Sequence, residues 1–557
     1  LNPPEYRRER SRTPTRPRYL SQQGRRLFVS AALYLSIMSR RPLILFTLCL
    51  CAFAVNLDVT LVNVTLPSLV ADLGASTRDL QWIVDAYTLT FAALVLAAGS
   101  LGDRFGRQGT LMVGLVVYAI GNGAAALATS AEALTATRAI MGVGAAIIFP
   151  TTLSIITNVF TERGERARAI GLWGASTGIA IALGPIVGGA LLESFSWPAT
   201  FLAKLPVALF AITLVAWVVP TSRDPEAPRL DPLGLLLSTA MIGTIVYAII
   251  EAPGVGWSSA ETLGLFALGG VLIGAFIAWE NHTEQPMLDV RIFRNLRFSA
   301  ASISVTVAFF ALAGFIFLAT QYFQFLKGYS PLESGVRLLP VATMVAISSV
   351  IGTQLAVRFG TKFVVGGGLT LLSIAYVWVS TASVETSYLE IACQMVLLGS
   401  GMGLTSAPAT ESIMGAVSNA KAGIGSAVND TTRELGGTLG VAVIGSVFVS
   451  LYQEAFSSAV LRTIPAAALE PARESVGGAL IAAQRLAEGG ASGAASSLTQ
   501  VASTGFFDGM AAGCLVASGV CATGAIICFA FLPAQPRKPA DDLSAPGGTA
   551  EPVSEPA

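Results

Sequence analysis

The sequence predicts an all-α polytopic membrane protein, on three observations. Charged residues make up 12% of the 557 positions and hydrophobic ones 53%, whereas a soluble domain carries roughly 25% charged residues on its wettable surface. Apolar runs long enough to cross roughly 30 Å of hydrocarbon recur from Leu43 to Phe531, and the mean hydropathy is +0.67. Basic residues collect in alternate connections between those runs, the asymmetry that orients membrane helices.

Taken in order, the runs place spans near Leu43–Leu66, Leu80–Ser100, Thr110–Thr129, Ala133–Phe160, Ala167–Leu192, Thr200–Val219, Pro232–Ile250, Thr262–Trp279, Phe298–Phe323, Gly335–Val357, Phe363–Ala382, Tyr388–Met414, Gly425–Leu451 and Phe506–Leu532, about fourteen helices. Even-numbered connections carry Arg104, Arg107, Arg163, Arg166, Arg168, Arg223, Arg229, Arg291, Arg294, Arg297, Arg358, Lys362 and Lys421, while the short odd-numbered ones carry few basic residues. Both termini are therefore expected in the cytoplasm of a multi-pass plasma-membrane protein.

Composition also excludes several functions. A net charge of zero and a pI near 6.8 give no reason to expect nucleic acid as a partner. Cys49, Cys51, Cys393, Cys514, Cys521 and Cys528 all sit in apolar runs, and His282, the one histidine, lies in a connection. Neither a metal site nor another cofactor is expected from them. Gly366-Gly367-Gly368 lies in an apolar span without the Gly-Lys-Ser/Thr of a phosphate-cradling loop, so no ATP site is expected and an enzyme is disfavoured.

Two loops reveal an internal repeat. Gly99-Ser100-Leu101-Gly102-Asp103-Arg104-Phe105-Gly106-Arg107 follows the second span, and Gly352-Thr353-Gln354-Leu355-Ala356-Val357-Arg358-Phe359-Gly360-Thr361-Lys362 follows the tenth, with Leu, Arg, Phe and Gly in register. Equivalent placement implies two parallel six-helix halves, over 42–221 and 297–535, with an inserted helix pair and cytoplasmic loop over 222–296. The polar stretch from Tyr452 to Thr504 reads as an external, solvated cap of short amphipathic helices broken by a Gly-Ala-Ser segment, with a lid or partner surface as the alternative. Residues 1–41 read as a basic disordered tail, with translation expected to start at Met38, and residues 536–557 as a second disordered tail.

Ionisable groups inside a span are costly and mark ion or substrate paths. Asp58 lies in the first span; Asp85, near Trp82 and Tyr87, in the second; and Arg138 in the fourth. Counting residues places all three in the outer half of the bilayer, so Arg138 can pair with Asp58 or with Asp85. A carboxylate relieved of its cation could take a proton, as a proton-coupled carrier requires; a permanently paired structural cluster is the alternative. Asp430, Arg433 and Glu434 open the thirteenth span on one helix face, where they could bind cations or protons or simply favour a helix start. Gly102, Asp103, Arg104, Gly106 and Arg107 form a tight charged loop suited to a conformational latch. In the fifth span, Gly171, Gly174, Gly178, Gly184, Pro185, Gly188 and Gly189 suit a helix that packs closely and moves.

These motifs resemble those of the major facilitator superfamily. The 102–107 loop resembles its motif between helices two and three, and Gly184-Pro185 with Gly188-Gly189 its antiporter signature, with Ala180 where a Gly is common. Leu134 to Ala146, with Arg138, Gly142 and Gly144, is similar to its fourth-helix motif, Met141 replacing the usual Gln. Asp58, Thr60, Asn63 and Pro67 match the first-helix motif of its fourteen-helix drug:proton antiporters, Thr65 standing where Ala is usual, and Val357 leaves the second latch copy without its acid. The resemblance covers Pro42 to Leu532 and implies a major facilitator fold that exports amphipathic small molecules in exchange for protons. It implies proton coupling at Asp58, Arg138 and Asp85, cation or substrate recognition at Asp430, Glu434, Trp82 and Tyr87, and gating at the two glycine motifs. A monomer in the bilayer is expected, and a metabolite symporter on the same fold is the rival reading.

Overall fold

The computed structural model describes residues 22–223, 231–286, 288–416, 422–456 and 464–533, and every regular element among them is helical. The first half comprises α1 (Gln22–Leu73), α2 (Thr77–Phe105), α3 (Arg107–Ala126), α4 (Ala131–Val159), α5 (Arg163–Ser194), and α6 (Pro198–Leu202) with α7 (Lys204–Val218) as one interrupted span. The inserted pair is α8 (Pro232–Val255) and α9 (Ala260–His282). The second half comprises α10 (Leu296–Gln321), α11 (Pro331–Arg337), α12 (Leu339–Phe359), α13 (Thr361–Val379), α14 (Tyr388–Gly415), α15 (Ala422–Ala455) and, after the short helices α16 (Ala466–Glu474) and α17 (Val476–Glu488), α18 (Ser492–Phe531).

Among the described residues, 12 helices are long and apolar enough to cross a membrane. That set omits α2 and α14, which have 29 and 28 residues, lie inside the bundle and carry more polar side chains, Gln81, Asp85 and Gln394 among them. Local chemistry starts several helices on one face. Ser76 accepts from the Asp79 amide at 3.1 Å while Asp79 accepts from the Ser76 amide at 2.9 Å, a reciprocal cap on α2 worth about 1 kcal/mol. Ser330 and Glu333 repeat that cap on α11.

The repeat is visible in the backbone. Gly106 (φ 106°) joins α2 to α3 and Gly360 (φ 92°) joins α12 to α13, a region that only glycine enters without strain. A tyrosine on the third helix of each half donates to the first: Tyr118 to the Ala54 carbonyl at 3.0 Å, and Tyr376 to the Ala311 carbonyl. The inserted pair docks on both halves. Glu251 on α8 accepts from Arg78 and from the Trp82 indole, each at 3.1 Å, and Trp257 donates to Ser450 on α15.

The halves meet toward the face that carries α11 and the cap. Gln81 donates to the Ala442 carbonyl at 3.1 Å, Gln324 to that of Val64 at 3.0 Å, and Ser330 to the Glu193 carboxylate at 2.6 Å. On the side of the Arg-rich loops, the stretch of α5 around Gly171 and Gly174 is exposed, while Gly184 to Gly189 is largely buried.

Several expectations need revision. Helix α1 already begins at Gln22, inside the stretch expected to be disordered, while residues 1–21 and 534–557 lie outside the described residues. The cap is packed rather than solvated: Ala472, Val476 and Ala479 are fully buried, and Gly477 sits against Val70 of α1 and Phe325. The Gly-Ala-Ser segment breaks the cap helices as expected at Gly489-Gly490-Ala491, where Gly490 has φ 83°, but from Ser492 it already forms the first turns of α18, because Ala495, Leu498 and Ala502 recur at helical spacing and bury one stripe.

Candidate functional site

Asp58 lies in the middle of the membrane part of α1 and is fully buried. Arg138 reaches it from α4, its Nη1 donating to Oδ2, while its Nε donates to the Ile83 carbonyl of α2 at 3.0 Å. Helix α4 comes this close because Gly142, one turn beyond Arg138, lies against α2: a Cβ there would stand 2.5 Å from the Tyr87 carbonyl oxygen. The Tyr87 ring supports the guanidinium at 4.5 Å, a cation–π contact, and its hydroxyl donates to the Val55 carbonyl at 3.1 Å.

The other Asp58 oxygen is taken by a residue that the sequence reading passed over. Lys204, the first residue of α7 and 2% exposed, donates from Nζ to Oδ1 and lies 4.5 Å from the Phe201 ring centroid. The rule that singled out Asp58 and Arg138 also applies to Lys204, a charged residue inside the sixth apolar run. Depth is a second signal, since Lys204 lies six residues past Pro198 and Arg138 seven past Ala131, both about 10 Å from helix starts on one face. The cluster thus holds one anion and two cations, all dry. Removing the shared anion leaves two buried cations uncompensated, a change that costs about 3–5 kcal/mol.

Of the two pairs open to Arg138, the structure makes the one with Asp58 and not the one with Asp85. Asp85 is fully buried, and neither of its oxygens has a hydrogen-bond partner among the described residues. It shares a helix face with Gln81 and Thr88, both of which bond α15: Gln81 reaches Ala442 and Ser446, and Thr438 donates to Thr88 at 2.8 Å. Asp85 therefore lies in the seam between the halves. Trp82 turns the other way, its ring 5.9 Å from Tyr247 of α8 and its indole bonded to Glu251.

Asp430, Arg433 and Glu434 sit further into their helix than expected, because α15 is already helical at Ala422. At that depth the macrodipole, which fades within the first turn, is no longer their explanation. Arg433 packs 5.3 Å from the Phe309 ring and donates to Thr410 at 3.3 Å. Among the described residues, no salt bridge joins it to Asp430 or Glu434.

The loop glycines are used closely. Gly102 packs on Thr151, Gly106 turns the chain, and the Arg107 amide donates to the Ser222 carbonyl at 2.8 Å. Arg104 is exposed over Phe105, while the Asp103 side chain and Lys421 lie outside the described residues. The α5 glycines divide into two groups. Gly184 and Gly188 lie against Thr60 and Leu61 of α1, the Pro185 carbonyl meets Gly335 of α11, and a Cβ on Gly189 would stand 2.5 Å from Leu332 Cα. Gly171, Gly174 and Gly178 have nothing within 4 Å of such a Cβ, so close packing is confined to the Gly-Pro end.

Comparison with known proteins agrees with this architecture. Residues 48–441 match the Major Facilitator Superfamily. The chain belongs to that superfamily. As a member it is a multi-pass membrane transporter. It is 34% identical over 493 residues to the multidrug efflux pump LfrA of Mycolicibacterium smegmatis, covering 87% of this chain and 95% of that one. It is 31% identical to the tetracenomycin C resistance and export protein of Streptomyces glaucescens, covering 89% and 93% of the two chains. It is 34% identical to the methyl viologen resistance protein SmvA of Salmonella typhimurium, covering 79% and 88%. The crystal structure of a bacterial homologue of the human lysosomal transporter Spinster superposes with a TM-score of 0.63 at 18% identity, over 88% of this chain and 97% of that one, a likeness of fold alone.

Proposed function

We propose that this major facilitator transporter exports drugs or other amphipathic small molecules across the plasma membrane in exchange for protons, by alternating access between its two halves. The observation that carries this reading is the dry Asp58–Arg138–Lys204 cluster, a set of charges that a passive pore or a structural bundle has no reason to bury. The relatives support the direction and the substrate class, since their names describe multidrug efflux, antibiotic export and methyl viologen resistance.

With α2 and α14 counted, the spans among the described residues number fourteen, the arrangement of the drug:proton antiporters. The Arg-rich loops assign the open face to the cytoplasm, with both termini there, so the cavity between the halves receives its cargo from inside the cell while α11, the α2–α15 seam and the cap close the outside. Gly184, Pro185, Gly188 and Gly189 form the pivot at which α5 rocks on α1 and α11, and the Gly102–Arg107 loop is the latch of the opposite conformation. Asp430 and Glu434 on α15 serve as acids that attract cationic cargo, and Tyr87 belongs to the coupling cluster. Trp82 supports the inserted pair instead of touching cargo. The protein works as a monomer.

The test is efflux of ethidium from cells of a pump-deficient host, with and without an uncoupler. Uncoupler-sensitive efflux that disappears in Asp58→Asn, with the protein still in the membrane, is the expected result. Full efflux by that variant refutes the assignment of coupling to this cluster.

A further inference from the structure

We propose that Lys204, not Asp58, carries the exchanged proton in this chain; the proposal rests on the antiport reading above and names the titrating group within the same cluster. Both Asp58 oxygens are occupied by donors, Oδ2 by Arg138 and Oδ1 by Lys204. A proton on Asp58 would neutralise the anion that both donors face and leave two buried cations without their counter-charge. Arg138 does not release a proton in proteins, because its guanidinium is too weak an acid, whereas a buried lysine ammonium readily does. The remaining titratable groups facing the cluster are Tyr87 from α2 and Tyr118 from α3, and both hydroxyls already donate to α1 carbonyls, at 3.1 and 3.0 Å. The Phe201 ring lies against Lys204, and Glu434 of α15 acts on Tyr87 from the other half without reaching Asp58 or Lys204. Lys204 is thus the one member that can part with a proton while Asp58 and Arg138 stay paired.

Charge counting gives the step a purpose. With Lys204 as an ammonium the buried cluster carries one excess positive charge; when its nitrogen gives the proton to water on the cytoplasmic side, the amine left behind is neutral, still donates to Asp58, and the cluster is balanced. A cationic cargo entering the cavity between the halves is repelled by the first state and not by the second, so proton and cargo exclude one another. Protonation of the amine from the outside, once the halves have rocked, expels the cargo and resets the cluster.

The test uses purified full-length protein in weakly buffered detergent solution, with ethidium fluorescence reporting binding and a pH dye reporting protons. The wild type is expected to release protons as ethidium binds. Lys204→Met has no proton to shed and is expected to bind ethidium while proton release falls at least about tenfold, whereas Lys204→Arg keeps the charge, cannot shed it, and is expected to bind ethidium more weakly and without proton release. Either variant binding ethidium with wild-type proton release overturns the proposal. Infrared difference spectra of the wild type decide the matter without these variants: a carboxylic acid C=O band lost on ethidium binding and absent from Asp58→Asn places the proton on Asp58 and overturns the proposal, and an unchanged carboxylic acid region supports it. A wild type that binds ethidium without proton release, and whose vesicle uptake ignores a pH gradient, refutes the antiport reading itself.

Discussion

The two halves share a scaffold bond and diverge one turn beyond it. In the first half Tyr118 donates to the Ala54 carbonyl, and Asp58, four residues on, meets Arg138 and Lys204. In the second half Tyr376 donates to the Ala311 carbonyl, and the residue four further on is Phe315, which lines an apolar cavity with Gly314, Tyr376 and Gln394. The repeat thus sets the geometry twice and the ion chemistry once. A carrier built on two chemically different halves can hold its ion triad at this position of one half and keep the matching position of the other apolar, with the acids of the second half, Asp430 and Glu434, placed elsewhere, on α15.

The sharpest break in this contrast is Asp58→Asn. Two cations lose their common anion, a change on the order of 3–5 kcal/mol, and proton-driven efflux is expected to fall at least about 100-fold in the ethidium assay. Phe315→Ala strikes the corresponding place in the second half and acts differently. The enlarged cavity is expected to cost about 3–5 kcal/mol of stability, read as a lower unfolding temperature in detergent, with the ratio of protons released to ethidium bound unchanged. A changed ratio would show that coupling is not confined to the first half.

The tyrosines make a finer comparison. Tyr118→Phe and Tyr376→Phe each remove one buried hydrogen bond, worth about 1 kcal/mol. Only the first is expected to move the pH dependence of transport, because only Tyr118 lies beside the charged cluster; equal pH profiles for the two variants would erase the contrast. Glu251→Gln is expected to have the smallest effect, about 0.5 kcal/mol from weakening the partly exposed Arg78 pair on the inserted helices, with efflux retained. A large loss of efflux would make the inserted pair part of the moving machinery.

Much of this was legible in one dimension because the bilayer is a strict solvent. It demands apolar runs of fixed length and leaves few intramembrane charges, so the spans, the repeat, Asp58 and Arg138 stand out from the chain alone. Partner choice does not. Residue counting leaves both Asp58 and Asp85 open to Arg138, and which of them it meets depends on how α4 sits against α2, where Gly142 lies on Tyr87. Lys204 could have been found by the same rule of intramembrane charge, and its contact with Asp58 depends on α7 packing against α1 and α3. The α5 glycines look alike in the sequence, and only the crossing with α1 and α11 separates the packed ones from the open ones.

The sequence by itself determined an all-helical membrane carrier, its doubled architecture and two of the three charges of the Asp58 cluster, since hydropathy, loop charge and motif spacing are properties of the chain read along its length. The tertiary structure decided that the charges form a triad, that Asp85 belongs to the seam between the halves, and that the cap packs onto both. Those outcomes depend on which helix faces meet across hundreds of residues, and a linear pattern constrains a helix face only to within its own rotation.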